Sequence, residues 1–125
     1  MSLSGSTPST PEFSVVVERN DDVGLMRIVG ELDIETHQQV LDAIRDPALD
    51  GVTQWAIDCS DLTFVDSGGL RALLSIAGQA GGLLNVALYD AQPQLLNLLE
   101  AAGLLDAFTL RADVATEPPS GPLEA

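Results

Sequence analysis

The sequence contains no lysine, one histidine, one cysteine, and aromatic residues at only 4% of positions. With Cys59 alone, no internal disulfide can form, which suits a reducing compartment; the thiol reads as packing at a strand end. His37 is the one histidine, and so the one candidate for a histidine base. No run approaches the roughly 18 apolar residues of a membrane span, and the N-terminus has neither the charged start nor the apolar core of a secretory signal. A cytoplasmic protein is expected. Positive charge is the scarcest property: five arginines stand against 19 acidic residues, for a formal net charge of −14. Such a chain repels phosphate backbones and anionic membranes, so direct nucleic-acid and membrane binding are not expected. A protein partner with a basic patch is favoured.

What is present is an aliphatic chain, 46% hydrophobic, of 125 residues, enough for one core. Residues 1–12 and 115–125 are rich in Ser, Thr and Pro with little to bury and are expected to be flexible tails; the folded domain is expected over 13–114. Phe13 to Glu18 and Leu25 to Gly30 read as an antiparallel hairpin across the turn-forming Arg19 to Gly24. A helix is expected from Glu35 to Asp46, with Val40, Leu41 and Ile44 as its apolar stripe, His37 at the stripe's edge and Pro47 at its stop. A strand in Thr53 to Cys59 follows. Leu70, Leu73, Leu74 and Ala77 then mark one face of a second helix that stops at Gly81 and Gly82. A strand in Leu84 to Tyr89 leads to a third helix that opens near Gln92 and Pro93. Leu95, Leu98, Leu99 and Ala102 form its stripe, and Gly103 stops it. A last short strand is expected in Ala107 to Leu110. The order β-β-α-β-α-β-α-β implies an α/β fold, a mostly parallel mixed sheet of about five strands with three helices, and a fourth helix only as a turn near Asp113.

The stretch Leu62 to Leu74, LTFVDSGGLRALL, places a serine between an aspartate and two glycines. A serine nucleophile needs a histidine base oriented by a carboxylate, but His37 lies along a core stripe. The chain is too short for a double β-barrel protease, and it lacks the Gly-x-Ser-x-Gly elbow of the α/β-hydrolases. As a helix start the stretch makes better sense, with Ser67 expected as the N-cap. Gly68 and Gly69 are then unexplained, because glycine weakens a first turn by about 1 kcal/mol relative to alanine. Bare backbone there suggests clearance for a visitor, either a phosphate at the helix N-terminus or a protein surface. Asp58, Asp61 and Asp66 lack the spacing of a metal site and read as caps and turn formers. No cofactor is expected.

Gly-Glu-Leu-Asp at Gly30 to Asp33, Ile57 to Leu70 (IDCSDLTFVDSGGL), Gly81 and Gly82, Pro93 with its leucine-rich helix, and Ala102 to Phe108 (AGLLDAF) together resemble the STAS domain of bacterial anti-sigma factor antagonists. The resemblance covers about Phe13 to Leu110. It implies a binding module and not an enzyme. Ser67 would be phosphorylated by an anti-sigma factor serine kinase, and a serine phosphatase would restore it. Asp33 would lie near Ser67, and the partner-binding surface would comprise Asp33, Asp66, Ser67, Gly68, Gly69 and Leu70; Arg71, one turn into the helix beside the site, is expected either to join that surface or to neutralise a carboxylate. Unphosphorylated, such a protein binds the anti-sigma factor and frees the sigma factor. The family's usual last helix has little support in Arg111 to Ala125. Two other STAS roles remain open, a scaffold subunit of a stress-signalling or lipid-transport assembly with Ser67 only a cap, and the regulatory tail of an anion transporter.

Overall fold

The computed structural model describes residues 12–111. The two expected tails, Glu12 apart, and any turn near Asp113 lie outside these residues. Strands β1 (Ser14–Asn20) and β2 (Val23–Leu32) form the expected hairpin, longer than anticipated, with Ser14 opposite Val29 and Asn20 opposite Val23. Its two-residue turn puts Asp21 at φ 57°, a left-handed conformation that aspartate tolerates better than most residues. Arg19 ties the hairpin to the chain that follows α1, donating to the carbonyl oxygens of Asp21, Ala48 and Asp50.

Helix α1 (His37–Ile44) is shorter than the expected 35–46 at both ends. Residues 33–36 form a side-chain-bonded turn in its place. Asp46 accepts from the Ala48 amide to cap a separate 3-10 turn at Pro47–Leu49. Strand β3 (Gln54–Asp58) returns parallel to the first half of β2. Strand β4 (Leu62–Val65) has no counterpart among the expected elements: it pairs with β2 beyond the end of β3, Leu32 opposite Val65, after a register shift at Gly30 and Glu31. Its other backbone partner is a side chain, Gln94, whose Oε1 accepts from the Val65 amide at 2.8 Å while Nε2 donates to the Val65 carbonyl at 2.7 Å.

Helix α2 (Ser67–Ala80) ends as expected, with Gly81 at φ 91° and the Gly82 amide donating to the Ala77 carbonyl. Strand β5 (Val86–Tyr89), helix α3 (Pro93–Ala101) with Pro93 in its first turn, and strand β6 (Thr109–Arg111) complete the domain. The sheet therefore has six strands, not about five, in the order β1-β2-β3-β5-β6 with β4 beside β2; all pairs but β1–β2 are parallel.

The buried apolar side chains of all three helices fall in one cluster with Met26, Ile28, Leu32, Trp55, Ile57 and Leu88 of the sheet. A smaller cluster of Ala56, Ala87 and Tyr89 occupies the alternate positions of β3 and β5. Trp55 is fully buried, and a Cβ on Gly24 would stand 2.6 Å from its ring. Glycine is thus required where the indole crosses β2. Among the described residues no helix is long and apolar enough to cross a membrane.

Candidate functional site

The parallel pairing of β2 with β4 delivers two chain segments to one place, residues 33–36 after β2 and Asp66 and Ser67 after β4. The Asp66 amide donates to the Leu32 carbonyl at 3.3 Å, so the strand pairing persists to the first residue of the site. That bond keeps Asp66 extended, at φ −106° and ψ −171°, and its Oδ1 accepts from the Gly69 amide at 2.9 Å. Asp66 is the N-cap of α2. The expectation that Ser67 fills this role is corrected: Ser67 is the first helical residue, exposed, and its hydroxyl makes no hydrogen bond among the described residues.

The glycines also have a different explanation from the expected clearance for a visitor. A Cβ on Gly69 would lie 2.1 Å from the Leu32 carbonyl oxygen, and one on Gly68 would lie 3.1 Å from Ile34 Cα. The close neighbour is the protein's own β2 end and the turn after it. Gly68, Gly69 and Leu70 are all buried, Leu70 within the main core cluster. Of the expected surface, Ser67 and Arg71 are exposed and Asp33 and Asp66 are half-buried.

Asp33 organises the turn that covers Gly68. Its Oδ1 accepts from the amides of Glu35 and Thr36 at 2.9 and 3.0 Å, its own amide donates to Thr36 Oγ1, and that hydroxyl donates to the Glu31 carbonyl. Desolvation pushes the Asp33 carboxyl upward, but the hydrogen bonds from Thr36 and Glu35 outweigh it and hold the group below its ordinary range. Asp33 therefore remains ionised beside α2. His37 Nδ1 lies 2.8 Å from the Ile34 carbonyl oxygen, a contact within the same turn. Ile34, between Asp33 and Glu35, is 63% exposed, and Phe64 on β4 is 40% exposed, so apolar surface flanks the charged groups. Neither was singled out from the sequence; Ile34 interrupts a polar stretch, whereas Phe64 lies in the mostly apolar run Leu62 to Val65 and offers no signal of exposure.

The other aspartates have separate tasks. Asp58 accepts from the amide and hydroxyl of Ser60, and Asp61 pairs with Arg27. Among the described residues no group of three His, Cys, Asp or Glu side chains could hold a metal ion. Cys59 is fully buried, and its thiol is pushed up to about 12 by burial first and then by the carboxylates of Asp58 and Asp90. A thiol so held is neutral at physiological pH and packs as a small apolar side chain.

Over residues 15–111 the chain matches the family model described as Mlab, STAS domain. No curated protein matches the chain. Among solved structures it is similar to an anti-sigma factor antagonist from Mycobacterium paratuberculosis, with 25% identity and a TM-score of 0.68 over 82% of this chain and 87% of that one. The unphosphorylated form of the anti-sigma factor antagonist SpoIIAA matches with 19% identity and a TM-score of 0.67, over 80% of this chain and 90% of that one. The phosphorylated form of SpoIIAA, a Bacillus cell fate determinant, matches with 20% identity and a TM-score of 0.56, over 80% and 93%. The two SpoIIAA structures speak for the fold alone. With the family model spanning nearly all of the described residues, the chain belongs to the STAS domain family.

Proposed function

We propose that this domain is a cytoplasmic anti-sigma factor antagonist, a binding module and not an enzyme, switched by phosphorylation of Ser67. The observation that carries this reading is the state of the serine. Ser67 is exposed, it starts a 14-residue helix, and its hydroxyl is free of fold-supporting bonds among the described residues because Asp66 has taken the cap. A serine needed only for stability would be bonded to the backbone it stabilises. In the proposed reaction an anti-sigma factor serine kinase transfers the γ-phosphoryl group of ATP to Ser67 Oγ. An O–P bond forms at Ser67, the bond to the ADP leaving group breaks, and the hydroxyl proton passes to the kinase. A serine phosphatase hydrolyses the O–P bond with water, releasing inorganic phosphate and restoring the Ser67 hydroxyl.

The added group brings about −1.5 to −2 charges at neutral pH. It arrives beside Asp33 and Asp66, so a partner whose contact surface carries acidic groups or nucleotide phosphates is repelled. The unphosphorylated form presents Ser67, Arg71 and the flanking Ile34 to that partner, and its binding releases the sigma factor.

Incubation with a cognate anti-sigma kinase and ATP is expected to add one phosphoryl group by intact-mass spectrometry. Ser67→Ala should abolish it, and Ser67→Asp should weaken the complex. A phosphate mapped to another residue, or a complex indifferent to Ser67→Asp, refutes the proposal. The Mlab description of the matching family model favours a second reading, a scaffold subunit such as that of a lipid-transport assembly. That reading expects stable co-purification with large partners and no response to Ser67→Asp.

A further inference from the structure

Cations are scarce in this chain, and four of the five are engaged. Arg19 donates to three carbonyl oxygens, Arg27 pairs with Asp61, Arg45 lies 3.6 Å from Asp42, and the Arg111 guanidinium stands 5.7 Å from the centroid of the Tyr89 ring. Arg71 alone makes no side-chain hydrogen bond, ion pair or cation–π contact among the described residues. Nineteen acidic residues surround it in sequence, so a partner would be easy to find. The two half-buried carboxylates of the site accept from backbone amides, Asp33 from those of Glu35 and Thr36 and Asp66 from that of Gly69.

The position of Arg71 is as informative as its lack of a partner. It is exposed on α2 four residues after Ser67, which is also exposed. Residues four apart share one helix face, with Cβ atoms about 5–6 Å apart. Helical side chains lean toward the N-terminus, so Arg71 extends over the turn that Ser67 begins. We propose that Arg71 is the internal counter-ion of Ser67 once that serine carries a phosphoryl group. The inference rests on the reading of Ser67 as the phosphoacceptor and adds to it a residue that positions the phosphate.

The guanidinium fork matches two phosphate oxygens in a way that an ammonium cannot. It draws the phosphate along α2 and offsets part of the repulsion from Asp33 and Glu35 in the turn over Gly68 and from Asp66 at the cap. His37, bonded to that turn from the start of α1, and Glu31 at the end of β2 are further titratable groups beside it; from α3 the side chain bonded to β4 at the site is the uncharged Gln94. Arg71 thereby converts from a free charge, available to a partner, into one consumed inside the domain. Phosphorylation would remove a cation from the docking face as well as add an anion to it.

The test installs phosphoserine at position 67 during translation, so that no kinase is needed, and follows the phosphate by ³¹P NMR from about pH 4 to 8. The second ionisation is expected to lie lower in the Arg71 protein than in Arg71→Gln by roughly 0.3–0.7 pH unit. Arg71→Lys should fall between the two, because it keeps the charge without the fork. Unphosphorylated Arg71→Gln should keep the parent's thermal midpoint to within a degree or so, since exposed Arg71 has no side-chain hydrogen bond or ion pair to lose among the described residues. Coincident titration curves for Arg71 and Arg71→Gln overturn the proposal. If the curves coincide while Arg71→Gln weakens the unphosphorylated complex, Arg71 is only a docking contact. Failure of every kinase to modify Ser67 would count against the phosphoswitch and leave this measurement standing on its own.

Discussion

Asp66 and Ser67 are adjacent, both are good helix-capping residue types, and only one of them can occupy the position. The strand pairing decides between them, because the bond from the Asp66 amide to Leu32 holds that residue extended while Ser67 has already entered the helix. Asp66→Ala is therefore expected to cost about 1 kcal/mol, within the 0.5–2 kcal/mol of a lost cap. Ser67→Ala should change stability by less than about 0.5 kcal/mol. Urea denaturation of the two variants measures both, and the reverse ranking would return the cap to Ser67. The residue most exposed to modification is thus the one whose loss the fold should barely register. Asp-Ser-Gly-Gly announces a helix start in the sequence, yet which of the two polar residues caps it depends on a strand that the sequence does not reveal.

Among the elements, α2 and β4 are opposites in legibility. Leu70, Leu73 and Ala77 repeat at helical spacing and Gly81 supplies a left-handed stop, so α2 could be drawn from the sequence to its last residue. Strand β4 is four residues long and buried only at its ends, Leu62 and Val65, an i, i+3 spacing that fits one turn of helix and not the alternation of a strand. It exists because β2 continues past the end of β3 and offers an open length of backbone, a fact held in no local window. The same strand end explains Gly69, which the sequence suggested as room for a ligand. Gly69→Ala is expected to destabilise the domain by about 3 kcal/mol or more, at or above the usual range for overpacking, because the obstructing atom is a backbone carbonyl oxygen at 2.1 Å. Gly78 lies in the same helix, and a Cβ there would meet nothing within 4 Å, so Gly78→Ala should stabilise by up to about 1 kcal/mol. Thermal melts of the pair should move in opposite directions. If Gly69→Ala melts with the parent, α2 does not start against β2.

For the molecule as a whole, the dominant quantity is a net charge of −14 with few ion pairs to offset it. Self-repulsion at this charge opposes the compact state. Raising ionic strength from about 0.01 M to 0.15 M shortens the screening length from about 30 Å to about 8 Å. The thermal midpoint should therefore rise by a few degrees with added sodium chloride. A fall would mean that the Arg27 and Arg45 pairs outweigh the repulsion, contrary to the small value of exposed pairs. The parallel sheet and its helices could be anticipated from element order, but the sixth strand and the contact between the two site segments arise only when the chain is closed. The single tryptophan gives this architecture a practical use. Trp55 is sealed opposite Gly24, whereas Ser67 follows a strand that ends opposite Leu32, eight residues further along β2, or about 26 Å at the rise of a strand. Its fluorescence is a native gauge of whether the domain is folded, and the indole sits toward the other end of β2 from the serine. An interaction at Ser67 can thus be weighed by how far it displaces the melting curve of an otherwise unlabelled protein.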